Sequence, residues 1–313
     1  MTVSAPHRSA QGTDSGGAVR QRRRKPPRRT GFAALALAGP FTVLLVGTVL
    51  TPVAYALYLS LFTDRFTGLG FESPRRVFIA LGNYLDVLAD PAFHISIRNV
   101  AAFALIQVPL MIVLALVLAM LLDSAVVRLK QMWSLAVFLP YALPGVIAGL
   151  IWAYLYSPGI GPIADILPFD PLNSGGVLSS IVNIATWQWV GYNVIIFYTA
   201  LQAVPKELTE AAVVDGAGAF RIAYSIKTPM IKPTIFVSAV FSIIGSLQLF
   251  TEPLILRTFT SAINSTWTPS LYVYESAFVS GDYGRAAAAA VILALASAVL
   301  SALVMRLSKR SNR

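Results

Sequence analysis

From residue 33 onward the chain is a succession of long apolar runs separated by short polar or Gly/Pro-rich breaks. A helix needs about 20 mostly apolar residues, at 1.5 Å each, to cross the hydrocarbon core of a bilayer. Six runs reach that length: 33–62, 100–122, 133–156, 178–204, 233–256 and 286–307. Each is nearly free of charge. The first is the longest and holds Pro40 and Pro52, so it is expected to tilt or kink, with neighbouring helices satisfying the carbonyls its prolines free. The pattern predicts an all-α polytopic membrane protein of six transmembrane helices over residues 33–307, with a tail at 1–32 and a short one at 308–313. Within the connection after the first run, Gly82-Asn83-Tyr84 and Asp90-Pro91 bring turn chemistry beside amphipathic residues. That stretch reads either as a short interfacial helix or as plain loop.

Composition agrees with a bilayer environment: 56% of residues are apolar and 12% charged, and the mean hydropathy is +0.70, outside the usual range of soluble domains. Charge then decides orientation, because cytoplasmic loops of membrane proteins carry the excess of Lys and Arg. With the N-terminus inside, the tail, the loops at 123–132 and 205–232 and the C-terminal end hold eighteen of the 24 basic residues. The opposite side keeps Arg65, Arg75, Arg76, Arg98, Arg257 and Arg285, while the loop at 157–177 has Asp165 and Asp170 and no basic residue. Both termini are predicted to be cytoplasmic. The first thirty residues show no apolar core or small-residue cleavage site, so no signal peptide is expected. The basic cluster from Arg20 to Arg29 has no apolar surface to bury and is expected to be disordered. A nucleic-acid-binding arm is the alternative, but a basic run just before a spanning segment suits orientation and anionic lipid.

Candidate chemistry is sparse. There are no cysteines, which removes disulfides and thiolate catalysis, and His7 and His94 do not suggest a metal site. No phosphate-binding loop, nucleophile elbow or zinc-protease helix is present, so this chain is not expected to be an enzyme or to hydrolyse ATP. Nor do the runs carry the ladder of buried acids and bases that proton-coupled carriers place in their helices. The clearest intramembrane acid is Glu252, beside Pro253, which either meets a substrate or pairs with Arg257.

The segment between the fourth and fifth runs is the most informative. Pro205 suits the first turn of a helix, and Glu207 and Glu210 complement its positive end. Leu208, Ala211 and Ala212 share a face, Gly216 and Gly218 stop or bend the helix, and a second amphipathic stretch follows, closed by Pro229 and Pro233. Glu210-Ala211-Ala212, then three residues, Gly216, nine residues, Ile226, one residue, Thr228 and Pro229 resemble the EAA loop of ABC importer permeases, departing only at Thr228, where that motif has Leu. Ala200-Leu201-Gln202-Ala203-Val204-Pro205, Asp215-Gly216-Ala217, Gly82-Asn83-Tyr84 and Leu139-Pro140-Tyr141-Ala142-Leu143-Pro144 are similar to the carbohydrate branch, the maltose-permease-like subunits. The likeness covers nearly the whole chain after residue 33.

The resemblance implies a type I importer permease fold and a set of partners: a second, homologous permease subunit, two ATPase subunits that bind ATP and Mg, and an extracytoplasmic sugar-binding protein. This chain is expected to hold no cofactor itself. Glu210, Ala211, Ala212, Asp215, Gly216, Ile226 and Pro229 would couple to the ATPase, as a lever seated in a groove. For the substrate path, the fourth run offers Trp187, Gln188, Trp189, Tyr192 and Asn193, and the fifth offers Ser238, Ser242, Ser246, Gln248 and Glu252. Aromatic faces with amides and hydroxyls suit sugar rings and their hydroxyls. The resemblance puts Tyr192 on a site tyrosine, whereas two site asparagines of the family become Gly245 and Gln248. The function expected is import of a carbohydrate, an oligosaccharide, at the bacterial cell membrane. The alternatives are a sugar-phosphate importer of glycerophosphate type, which would want Arg or Lys in the pore, a stand-alone secondary transporter, and a membrane-embedded enzyme, for which no nucleophile, base or metal set is present.

Overall fold

The computed structural model describes residues 29–65, 75–124 and 127–311, so the basic tail and its predicted disorder lie largely outside the described residues. The chain divides into two compact units, Met1–Pro52 and Val53–Arg313. In the first, helix α1 (Arg29–Leu45) begins within the predicted tail and passes through a π-helical turn, Val46–Leu50. Its hydroxyls fold back on the helix: Thr42 donates to the carbonyl of Ala38 and Thr48 to that of Leu44, which lets polar residues sit in an apolar rod. Helix α2 (Thr51–Leu59) then carries the chain across the boundary between the units.

In the second unit the first predicted span ends at Leu59, earlier than residue 62, because Phe62–Arg65 (β1) pairs antiparallel with Arg75–Phe78 (β2). That hairpin has no counterpart in the hydropathy pattern. The 81–93 stretch resolves as helix α3 (Gly82–Ala89), followed by α4 (Pro91–Asp123), a 33-residue helix that starts well before the predicted 100. Asp90 caps α4, its carboxylate accepting from the Ala92 N–H at 2.8 Å. The third predicted span forms a bent pair, α5 (Lys130–Ala142) and α6 (Gly145–Tyr156), at 94°. After α7 (Val177–Gln202), α8 (Lys206–Val214), α9 (Ala219–Ile222) and α10 (Thr228–Met230), the fifth predicted span is interrupted between α11 (Lys232–Leu247) and α12 (Thr251–Leu256), which still form one apolar stretch of 25 residues. Helix α13 (Pro269–Tyr274) leads to α14 (Tyr283–Ser311), which continues into the predicted C-terminal tail.

Among the described residues, four helical stretches are long and apolar enough to cross a membrane, and the bent pair makes a fifth. Helix α7 has the length, 26 residues, but Ser180, Asn183, Gln188 and Asn193 interrupt its apolar run. Those interruptions make sense in the packing. Helix α7 is central: α4 and α5 lie along it, α11 lies on α4, α6 meets α12, and α14 covers α3, α13 and α11. In lipid no hydrophobic force drives helices together, so close fit has to do it. Gly191 on α7 shows how close: a Cβ there would stand 2.0 Å from the Val137 carbonyl oxygen of α5. Ala115 and Ala119 play the same part where α4 meets Val194 and Phe197.

Polar side chains clamp one end of the bundle. Asn83 donates to the carbonyls of Ser60 and Phe62 at 2.9 and 2.8 Å, and Tyr84 hydrogen-bonds the Ser60 hydroxyl at 2.7 Å. The Asp90 carboxylate accepts from the Tyr272 hydroxyl at 2.8 Å and lies 3.5 Å from the Arg285 guanidinium. Burial and that carboxylate together push the Tyr272 phenol well above the ordinary tyrosine range, so it stays a proton donor.

Candidate functional site: a cavity and an exposed helix

Helices α4, α7 and α11, with the start of α6 and the α11–α12 break, enclose a cavity of about 430 Å³, within the common range of about 300 to 1,000 Å³ for small-molecule sites. All seven predicted substrate-path residues line it: Gln188, Trp189, Tyr192, Asn193, Ser242, Gln248 and Glu252. Ser238 and Ser246 join them, as their spacing predicts, whereas Trp187 turns away and meets Trp152 edge-on at 5.7 Å.

The serines are tied to backbone or to a neighbour. Ser242 donates to the carbonyl of Ser238, Ser246 to that of Ser242, and Ser238 to the side-chain oxygen of Asn193. Asn193 also donates to the Trp189 carbonyl at 3.1 Å and approaches Met111 Sδ at 3.5 Å. A buried polar link thus joins α7, α11 and α4. Sequence reasoning missed the α4 wall, Phe103, Gln107 and Met111; the available signal was Gln107, a lone amide in a charge-free apolar run. It also missed Tyr141, whose ring stacks on Tyr192 at 5.1 Å and meets Trp189 edge-on at 5.4 Å. Trp189 and Tyr192 remain 44% and 40% exposed, so the cluster still offers ring face.

Two acceptors stand out. Gln188 is 5% exposed; its amide nitrogen donates to the Leu143 carbonyl at 3.1 Å, and its side-chain oxygen has no partner. That donation follows from the bend: with Pro144 after it, the end of α5 leaves a carbonyl for a side chain to satisfy. Glu252 is 7% exposed and does not pair with Arg257. Arg257, at the far end of α12, instead meets Glu275 at 3.7 Å and lies over the Tyr274 ring. The expected alternative of a structural pair is therefore corrected, and Glu252 faces the cavity. Among the described residues no group of acids and histidines is arranged to hold a metal.

Helix α8 has no buried residue. It closes at Asp215, and Gly216 takes φ +79°, a left-handed angle that favours glycine. The Ala217 N–H reaches the Ala212 carbonyl at 2.9 Å and the Gly216 N–H the Val213 carbonyl at 3.0 Å, the paired bonds that finish a helix at a left-handed glycine. Glu210, Ala211 and Asp215 are exposed, Ala212 is half-buried, and Leu208, Val213, Val214 and Phe220 present apolar surface nearby. Ile226 sits in a π-helical turn, Ala223–Lys227, before Pro229. Thr228, the departure from the motif, donates to the Ala223 carbonyl at 2.8 Å and so stabilises that turn. From it Lys227 reaches back to Asp123 at 2.5 Å, and Gln202 donates to the same carboxylate at 2.5 Å. Asp123 ends α4 and Gln202 ends α7, so the segment after α8 is tied to α4 and, through Asp123, to α7, two of the helices that wall the cavity.

The profile of the family described as "Binding-protein-dependent transport system inner membrane component" matches residues 108–313. The trehalose transport system permease protein SugA of Mycobacterium tuberculosis is 31% identical over 88% of this chain and 88% of its own length. The sn-glycerol-3-phosphate transport system permease protein UgpA of Agrobacterium fabrum is 31% identical over 86% of this chain and 92% of its own. In fold, the chain is similar to a subunit of a bacterial ABC transporter involved in import of the acidic polysaccharide alginate, with a TM-score of 0.78 and 19% identity over 91% of this chain and 98% of that one.

Proposed function

The chain belongs to the family of inner membrane components of binding-protein-dependent transport systems, and from that premise we propose that it is the permease subunit of an ATP-driven ABC importer for a carbohydrate, an oligosaccharide. The observation that carries the reading is the link between the two sites: the exposed helix α8 and its Gly216 turn are fastened through Lys227 and Asp123 to α4 and α7, which wall the cavity. ATP and Mg are bound by two ATPase subunits, a second homologous permease completes the pathway, and an extracytoplasmic binding protein delivers the sugar. Glu210, Ala211, Ala212, Asp215, Gly216, Ile226 and Pro229 form the surface that meets the ATPase. Its movement on nucleotide binding turns the bundle between inward-facing and outward-facing states. Six spans with both termini in the cytoplasm of a bacterial cell complete the reading; α7 is the sixth, polar because it lines the path.

Relatives of equal identity are named for a neutral sugar and for a phosphate ester, so identity alone does not choose between substrates. The cavity lining favours the sugar: aromatic rings, amides and hydroxyls without a Lys, Arg or His, where a phosphate would want converging cations. The test is uptake in proteoliposomes. Sugar should accumulate only with ATP inside and with the ATPase and binding protein present; accumulation by the purified chain alone, driven by an ion gradient, would establish a secondary transporter instead.

A further inference from the structure

The charge of the cavity is unusual in one respect. Among the described residues, Glu252 is the single carboxylate in its lining and no cation accompanies it. None of the described ion pairs includes Glu252: the nearest arginine in sequence, Arg257, is committed to Glu275 and the Tyr274 ring. The lining holds a second buried acceptor, the unpartnered oxygen of Gln188, whose nitrogen is already spent on the Leu143 carbonyl. A buried acceptor without a donor, as the Gln188 oxygen is, is costly, and the Glu252 carboxylate, whose described hydrogen bond is to backbone alone, lines the same space. What they lack is a ligand that brings O–H or N–H groups.

Resting on the reading of this cavity as the substrate path, we propose that Glu252 sets its charge selectivity. It admits neutral, hydroxyl-rich glycans or those bearing an amine, which donate to Glu252 and Gln188, and it refuses glycans that carry carboxylate, sulfate or phosphate. A carboxylate at 252 repels an anion strongly where water is scarce.

The absence of cysteine allows a test that needs no knowledge of the sugar. Ser242→Cys places one thiol in the cavity wall of the assembled importer. Its modification by a cationic trimethylammonium-ethyl and an anionic sulfonato-ethyl methanethiosulfonate is followed by the mass of this chain. The ratio of cationic to anionic rates, normalised to that of 2-mercaptoethanol, is expected to exceed about tenfold. Glu252→Gln should bring it to within about threefold of unity. A normalised ratio near one with Glu252 intact, or a ratio unchanged by Glu252→Gln, overturns the charge filter and leaves the cavity reading standing. Failure of both reagents to reach the introduced thiol in any nucleotide state overturns the cavity reading as well. The first ratio requires no change at residue 252, so a poorly assembled Glu252→Gln variant does not rescue the proposal from a negative result.

Discussion

At the scale of single residues, the site rests on aromatic faces held in place by other rings. Tyr141 braces both Tyr192 and Trp189, so the two exposed rings are fixed before any ligand arrives, and little rotamer entropy is lost on binding. Stacking on such rings is worth about 1 to 3 kcal/mol where it has been measured with nucleic-acid bases. On that scale Tyr192→Ala and Trp189→Ala should each lower apparent affinity for the sugar about five- to hundred-fold, with normal assembly on size exclusion. Uptake at wild-type concentration dependence in both would remove them from the path. That Tyr192 lines the cavity follows the resemblance, registered by Ala200-Leu201-Gln202, and that the serines do follows their four-residue spacing. Tyr141 was not legible in the sequence, since it sits inside an apolar Pro-containing stretch whose bend brings it back onto α7. The Glu252 to Arg257 pairing failed for a similar reason: five residues apart on a short helix, the two lie on different faces, and Arg257 finds Glu275 from a segment with no periodic signal of its own.

At the scale of elements, the proposed function makes α8 and the turn behind it a handle. Gly216→Pro would force a negative φ on a residue that now sits at +79°, and Ala212→Asp would put a charge into the helix face offered to the partner. Both should leave the spanning helices inserted while abolishing uptake, with the ATPase lost on purification or hydrolysing without response to the binding protein. Wild-type transport and co-purification in both variants would reduce this segment to a connector. The Asp123 to Lys227 contact makes a separate prediction. Its side chains are 11% and 23% exposed, so one charge left alone there is poorly solvated. Asp123→Asn should lower sugar moved per ATP hydrolysed several-fold. Asp123→Lys with Lys227→Asp should restore much of it, because the Gln202 amide can turn its oxygen toward a lysine. Equal coupling ratios in the single variant and the wild type would show that the contact carries no force. The helix, its glycine stop and the following stretch were legible from residue chemistry, which acts locally. The Asp123 link joins positions 104 apart, and no local pattern announces it.

At the scale of the whole molecule, the basic residues and the apolar runs predict six crossings with both ends inside. A reporter active only outside the cell should therefore work when fused after Asp170 or Asp282 and fail after Lys130 or Arg221; an inverted result at either pair would sink that topology. Hydropathy located the runs but says nothing of bends within them, because a transfer free energy summed along the chain is blind to direction. The bend between α5 and α6 and the step between α11 and α12 were invisible to it, although Pro144 stands at the first. Both interruptions border the cavity. An unbroken helix such as α4 is a stiff rod, and a break is a joint. A chamber with rods on two sides and jointed members on the others can open by swinging short arms, α6 and α12, while the rods keep their packing. Those two arms pack on each other, α6 against α12, with Gly149 letting Ile255 approach closely. If the chain works by alternating access as proposed, the chamber can open by rotation at the two breaks without any helix having to melt.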